Sequence, residues 1–397
     1  MDELISKSQL KVAKANSLFV RYLYDIVDWN QRMISISGAR GVGKTTLLLQ
    51  TIKSNSRFQQ NALYVSMDDL FFLGKTLYET AKEWSQQGGK SLFLDEVHKY
   101  ANWSVELKLI YDDLEDLQVV FTSSSILEIN KGQADLSRRV VKHTLHELSF
   151  REFVLLQYKV VLPKISLENI LKNHNETALE INQQTKPLML WKHYVKVGAY
   201  PYFMEGESVY YNKVRETINL LIDVDMSVTE NYDFATLVNI KKLLGLVATS
   251  VPFSPNISKL AERMGTSRNL ILKALYSLQK ARMTNSVYSV GSGMSSLSKP
   301  EKLYLNNTTL IYALANENIS TGNIRETVFV NQVGSMHQIN TSKTADFLVD
   351  EKYTFEIGGK NKSNRQIASE TNAFVVKDDI EIGQKNTVPL WMFGLLY

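Results

Sequence analysis

The chain has 397 residues, 45 Lys and Arg against 41 Asp and Glu for a net charge of +4, 44% hydrophobic and 22% charged residues, and no cysteine. That length exceeds one typical core, so two to four domains of ordinary globular composition are expected. Disulfides, thiolate nucleophiles and zinc–thiolate sites are excluded; no apolar run approaches a membrane span and no signal stretch follows Met1-Asp2-Glu3, so the chain reads as a soluble cytoplasmic protein without a membrane partner, and +4 is too mild to imply nucleic acid by itself.

Residues 1 to about 30 read as helical, with Leu18, Tyr22, Ile26 and Val27 at helical spacing. Strand patterns at 33–37, 61–67, 91–95, 118–122 and 139–145 then alternate with helical segments, the βαβ signature of a parallel sheet with helices on both faces. From 150 to about 235 the chain turns helical and aromatic, for example over Trp191–Val197 and Val214–Val224. The segment 257–275 reads as helix-turn-helix: Leu260, Ala261 and Met264 form one apolar face, Gly265 permits a tight turn, and Ser267 caps a second helix. Leu270, Ile271, Ala274, Leu275 and Leu278 face inward there, leaving Arg268, Asn269 and Lys273 outside. Thr284–Leu305 reads as two strands around Gly291-Ser292-Gly293, a wing. The last ninety residues return to α/β character, with a helix around Glu326 and strands at 345–349, 353–357, 373–376 and 390–395.

Two motifs carry chemistry. Gly38-Ala39-Arg40-Gly41-Val42-Gly43-Lys44-Thr45 fits G-x-x-x-x-G-K-[ST] between a strand and a helix. Such a loop aims backbone N–H groups at the phosphates of a nucleotide; Lys44 reaches the β- and γ-phosphates, Thr45 ligates magnesium, and Thr46 continues the cradle. Ser91-Leu92-Phe93-Leu94-Asp95-Glu96 is an apolar run ending in two carboxylates. At the C-terminal end of a parallel strand, Asp95 would hold Mg2+ and Glu96 would act as general base toward a water attacking ATP.

With these residues the chain resembles a bacterial and archaeal group of AAA-type ATPases with a poorly characterised C-terminal region. The resemblance is carried by the loop Gly38–Thr45, by Leu94-Asp95-Glu96-Val97-His98-Lys99 with Trp103 soon after, by Phe121-Thr122-Ser123-Ser124-Ser125, by Leu136-Ser137-Arg138-Arg139, and by His146-Glu147-Leu148-Ser149-Phe150-Arg151-Glu152-Phe153. It implies Ser124, or else Thr122, as a polar sensor of the γ-phosphate and Arg138 or Arg139 as an arginine finger. The alternative for the arginine pair is surface balance of Asp135 and Glu147. His98 would couple the magnesium site to the next helix or simply cap its turn. In this group the C-terminal portion resembles nucleases with a PD-(D/E)XK core, which need two carboxylates and a lysine around a metal ion. Here the carboxylates are Glu326, Asp346 and Glu356. The lysine position is Gly358, and Lys360 lies about 6.6 Å further along the strand, so a degenerate nuclease fold is expected.

The expected organisation is a P-loop AAA-type ATPase domain over 1–150, a helical region over 151–235, a winged helix-turn-helix over 236–305 and a degenerate nuclease-like domain over 306–397. The expected fold class is α/β with a P-loop NTPase parallel sheet. The expected function is Mg2+-dependent ATP binding and hydrolysis that moves the C-terminal region, acting on nucleic acid through Arg268 and Lys273. Two alternatives stand beside it, an ATP-dependent switch on a protein partner and an ATP-driven DNA nuclease. Oligomerisation is left open.

Overall fold

Met33–Gly38 (β1) is buried at every position, as a strand covered on both faces must be. In the computed structural model it is joined by Ala62–Ser66 (β2), Ser91–Asp95 (β3), Gln118–Ser124 (β4) and Val141–Thr144 (β5) in one parallel sheet of order β2-β3-β4-β1-β5. The structure describes residues 1–124, 136, 138–250, 253–291, 298–315, 319–368 and 370–397, the side chains of residues 124, 228 and 229 excepted. Asp2–Lys14 (α1), Leu23–Ile26 (α2), Lys44–Ser54 (α3), Leu77–Gln86 (α4) and Trp103–Asp113 (α5) complete a first unit, Met1–His146. All five sequence-derived strands are present, within two residues at each end. The α/β P-loop architecture is therefore the observed one.

The segment over residues 1 to about 30 that reads as helical is helical in two pieces, α1 and α2, with residues 15–22 between them not helical. α1 ends where Ala15 turns to extended backbone (φ −62°, ψ 129°). Side chains of α3 take over the freed carbonyls: Lys53 Nζ donates to Ala13 O and Ala15 O, and the Gln50 amide donates to Asn16 O and Phe19 O. Leu18 and Ile26 are exposed, whereas Tyr22 and Val27 are buried. α1 lies along the sheet edge, where Tyr64 N donates to Ser8 Oγ at 2.9 Å and leaves one less open edge group on β2.

The second unit, Glu147–Tyr397, opens with helices: Phe150–Tyr158 (α6), Leu167–Gln184 (α7), Pro187–Val197 (α8), Glu207–Leu220 (α9, continued by a π-helical turn over Leu221–Met226), Ser227–Glu230 (α10) and Phe234–Thr249 (α11). Its aromatic centre is Phe150, Trp191 and Tyr194, with ring centroids 5.1–5.6 Å apart. Ile257–Arg263 (α12) and Arg268–Lys280 (α13) follow, separated by Gly265 at φ +60°, a conformation that glycine adopts without penalty. Ser267 Oγ accepts the Leu270 N–H at the start of α13. Ile271, Ala274, Leu275 and Leu278 are buried, Met264 and Leu270 partly so, and Arg268, Asn269 and Lys273 are exposed. Thr284–Val287 (β6) and Lys302–Leu305 (β7) form an antiparallel pair; Ser292 and Gly293 of the expected loop lie outside the described residues.

Thr308–Leu314 (α14) and Thr321–Gly334 (α15) lead into a second five-stranded sheet, formed by Ile339–Thr341 (β8), Phe347–Val349 (β9), Tyr353–Gly358 (β10), Ala373–Lys377 (β11) and Thr387–Pro389 (β12) in the order β12-β11-β10-β9-β8. β8, β9 and β10 pair antiparallel, and β10, β11 and β12 parallel. The strand expected over 390–395 is instead a 3₁₀ helix, Leu390–Leu395, buried at every residue; its continuous apolar run has no alternation to separate helix from strand. The first unit ends four residues before the boundary at 150, and the three segments expected beyond it share one unit. Among the described residues no helix is long and apolar enough to cross a membrane.

Phe93 is fully buried in β3 and meets the Phe58 ring edge-on at 5.0 Å. Phe93→Ala is expected to destabilise the first unit by about 3–5 kcal/mol, read as a lower denaturant midpoint in chemical unfolding.

Candidate functional site

β1 ends in Gly38, which pairs with Ser124 at the end of β4, while β3 ends in Asp95 opposite Ser66. Because β4 lies between β1 and β3, its C-terminal hydroxyls stand between the glycine loop and the acidic pair. A ligand bound outside the strand ends meets all three. The loop itself needs its glycines. A Cβ on Gly38 would sit 2.4 Å from Leu145 O, and Gly41 and Gly43 have φ of +83° and +98°. α3 begins at Lys44 with Gly43 as N-cap and no side-chain cap, so the first-turn N–H groups and the positive end of the helix dipole are offered to an anion. Ala39 and Val42 are buried beneath the loop, Arg40, Gly41 and Lys44 are partly exposed, and Thr45 and Thr46 are exposed. Lys44 Nζ donates to Gly38 O at 2.9 Å and Ala39 O at 3.0 Å. The lysine is thus held over its own loop.

Asp95 is 3% exposed and accepts three hydroxyl hydrogen bonds: from Thr45 Oγ1 at 2.6 Å, Tyr64 OH at 2.9 Å and Thr122 Oγ1 at 2.5 Å. Burial beside Asp95 raises the Tyr64 phenol well above its ordinary value, which keeps it a proton donor. The Thr122 hydroxyl also accepts the Glu96 N–H at 2.9 Å, so one side chain holds the Asp95 carboxylate and the Glu96 backbone. Glu96 has left-handed backbone (φ 53°, ψ 48°), strained for a non-glycine residue and frequent at functional sites. It is partly exposed. Thr45 and Asp95 are hard oxygen donors on neighbouring elements, the set that suits a magnesium ion completed by water and phosphate oxygens. Among the described residues no group of three His, Cys, Asp or Glu converges as a protein-only metal site.

The structure places the remaining candidates as follows. The hydroxyl that engages the acids is that of Thr122; Ser124 ends β4, and its side chain lies outside the described residues. Arg139 Nε donates to Asp112 Oδ1 at 2.9 Å and its Nη2 to Asp112 Oδ2 at 3.1 Å, a bidentate pair. Arg138 is exposed, and Asp135 lies outside the described residues. Glu147 is buried and accepts from Asn306 Nδ2 at 2.6 Å. His98 is partly exposed, and its two buried ring nitrogens have no hydrogen-bond partner. Burial, then the charges of Lys99, Lys44 and Arg40, push its pKa down to about 3, so it is neutral at physiological pH. Tyr64 belongs to no motif and reaches Asp95 from the neighbouring strand β2, which is why the sequence reading passed over it.

In the second unit the three carboxylates are met by lysines of this chain. Lys302 on β7 lies 3.3 Å from Asp346 Oδ1 and 3.6 Å from Glu326 Oε2, and its Nζ stands over the Phe347 ring at 4.7 Å. Tyr304, two residues along β7, donates its hydroxyl to Glu326. Asp346 immediately precedes β9, and its Oδ2 accepts the Ile357 N–H at 2.9 Å. Glu356, buried in β10, pairs with Lys362. Lys360 is exposed and is not its partner. β10 ends at Gly358, where a Cβ would lie 2.5 Å from Lys362 Cγ. The glycine is the space through which the Lys362 stem returns to Glu356. Neither lysine has motif spacing, which is why sequence reading passed over both.

Residues 30–154 match the family model of an AAA domain designated AAA_14. The uncharacterized protein MJ1637 of Methanocaldococcus jannaschii is 25% identical across 96% of this chain and 89% of its own length. Among solved structures, AMPPCP-bound DnaA from Aquifex aeolicus is 16% identical with a TM-score of 0.28, covering 70% of this chain and 88% of that one. A DNA replication initiation factor is 12% identical with a TM-score of 0.29, covering 81% and 86%.

Burial raises the Glu326 carboxyl above its ordinary value, opposed by Lys302 and the Tyr304 hydroxyl. Lys302→Met removes the opposing cation, so the folded-state pKa of Glu326 climbs further above its unfolded value. An acid raised in this way costs stability once it ionises. The variant is therefore expected to lose about 2–4 kcal/mol at pH 7 and to approach the parent as pH falls and Glu326 protonates; urea unfolding at neutral and acid pH measures the difference.

Proposed function

We propose that the chain is a magnesium-dependent ATPase whose nucleotide state acts on the second unit, with nucleic acid as the target. The observation that carries the reading is the hydrogen-bonded set Thr45–Asp95–Thr122–Glu96 at the C-terminal edge of one parallel sheet, next to a G-x-x-x-x-G-K-T loop at a helix N-terminus. The AAA domain match over residues 30–154 supports it.

In this reading the loop N–H groups bind the phosphates, and Lys44 leaves Gly38 O and Ala39 O to meet the β- and γ-phosphates. Thr45 and Asp95 would hold Mg2+, which when bound would neutralise charge developing on the transferred phosphoryl group. Glu96, turned by its left-handed backbone and fixed through Thr122, takes the proton of the attacking water. Ser124 at the end of β4, or else Thr122 beside Asp95, senses the γ-phosphate, and Arg138 or Arg139 is the arginine finger, Arg139 being paired with Asp112. The nucleic-acid target rests on the exposed Arg268 and Asn269 at the start of α13, with Lys273 one turn on and 3.0 Å from Glu230. The lysines within the C-terminal carboxylate cluster favour a nuclease-like domain that binds rather than cleaves.

Lys44→Ala is expected to weaken ATP binding at least tenfold by calorimetry with magnesium; equal affinity would remove the loop assignment. Glu96→Gln is expected to keep ATP affinity and lower turnover about 100-fold or more, measured as phosphate release. For DNA, the parent should show a salt-dependent affinity, and Arg268→Ala/Lys273→Ala should reduce the slope of log affinity on log salt by about one for each phosphate that the variant no longer neutralises. A parent protein without DNA affinity at low salt would point to a protein target instead.

A further inference from the structure

Arg21 belongs to no motif and sits in the irregular segment between α1 and α2, yet it is 4% exposed. Its guanidinium donates from Nη1 to Val42 O in the glycine loop and from Nη2 to His146 O at 2.7 Å. The next residue repeats the grip: Tyr22 OH donates to Thr144 O at 3.1 Å and accepts the His146 N–H at 3.3 Å. His146 is the last residue of the first unit. A two-residue segment therefore holds the glycine loop on one side and, on the other, the strand end through which the chain leaves the unit.

The hydrogen bond to Val42 O constrains the next peptide through planar geometry. In a planar trans peptide the C=O and the following N–H point in opposite directions. Holding Val42 O toward Arg21 turns the Gly43 N–H away from it, and Gly43, at φ +98°, has no Cβ to resist that orientation. Gly43 is the N-cap of α3, so its N–H is among the donors that a phosphate at this helix end would meet. We infer that Arg21 is a positioning residue of the nucleotide cycle, orienting the Val42–Gly43 peptide for phosphate and linking the loop to residues 144–146; this rests on the reading of Gly38–Thr45 as the nucleotide loop. The link is mechanically short. Leu145 N donates to Ser37 O at 2.8 Å, and Leu145 O packs against Gly38, so residues 144–146 touch the root of the loop directly and its Val42 carbonyl through Arg21. A planar fork with several donors suits the bridging of two carbonyls, and an ammonium on a flexible stem reproduces it only in part.

The test uses the full chain and its Arg21→Met and Arg21→Lys variants. ADP and a non-hydrolysable ATP analogue are titrated by calorimetry with magnesium, and backbone amide exchange over residues 141–147 is followed with and without nucleotide. Arg21→Met is expected to lower affinity for both nucleotides by about 10- to 100-fold, the range for loss of charge-assisted hydrogen bonds. It is also expected to abolish a nucleotide-dependent change in exchange at 144–146 that the parent shows. Arg21→Lys is expected to fall between the two. A merely structural role would lower thermal stability and leave that nucleotide-dependent difference in place. Parent-like affinity in Arg21→Met, or exchange at 144–146 that ignores nucleotide in the parent, overturns the inference while the ATPase reading stands. A parent that binds neither nucleotide overturns the ATPase reading itself. If Arg21→Met lacks folded circular dichroism, Arg21→Lys decides by the same two measurements.

Discussion

The Thr122 hydroxyl is the smallest group on which the candidate site depends. It donates to Asp95 and accepts from the Glu96 N–H, and so fixes one buried carboxylate and the backbone of the residue that follows it. Its position follows from strand order. A hydroxyl at the end of β4 reaches the end of β3 because the two are neighbours, and reaches the glycine loop because β1 lies on the other side. Without β4 inserted between them, the loop and the acids would be adjacent with nothing between to register their separation. Buried acids that accept several hydrogen bonds are held in one geometry, and that pre-organisation is what an electrostatic site requires.

What was legible in the sequence divides along local and non-local lines. Strands with continuous apolar runs, such as Ser91–Asp95, and caps such as Ser267 announce themselves within a few residues, and the structure carries them at those positions. The glycine loop is local too, since one backbone path satisfies all of its requirements. Side chains that arrive from elsewhere leave no such mark. Tyr64, Arg21, Lys302 and Lys362 each reach the site they serve across a sheet or around a turn, and each is an ordinary residue in its own neighbourhood. The break between α1 and α2 has the same origin. Leu18 and Ile26 fit a helical period, but Gln50 and Lys53 from α3 capture the carbonyls that further turns would have needed.

The two units handle their acids in opposite ways. In the first, Asp95 is surrounded by neutral hydroxyls, which hold an anion in place without neutralising it. In the second, Glu326, Asp346 and Glu356 face ammonium groups of the same chain. An acid left charged among dipoles retains its capacity to attract a cation, whereas one already paired gives up that capacity in exchange for fixing the elements that bear the partners. By that difference the first cluster has the character of a reagent and the second that of a fastening between β7, α15 and the start of β9.

Gly358 shows how hard such a fastening is to undo. The aliphatic stem of Lys362 fills the space a side chain at 358 would occupy, with a Cβ there only 2.5 Å from Lys362 Cγ. A lysine placed at 358 would collide with the one at 362, and removing the one at 362 would leave Glu356 buried without its cation. Neither single replacement is neutral in either order. The two positions are therefore coupled, and a side chain at 358 is accommodated only when residue 362 changes with it.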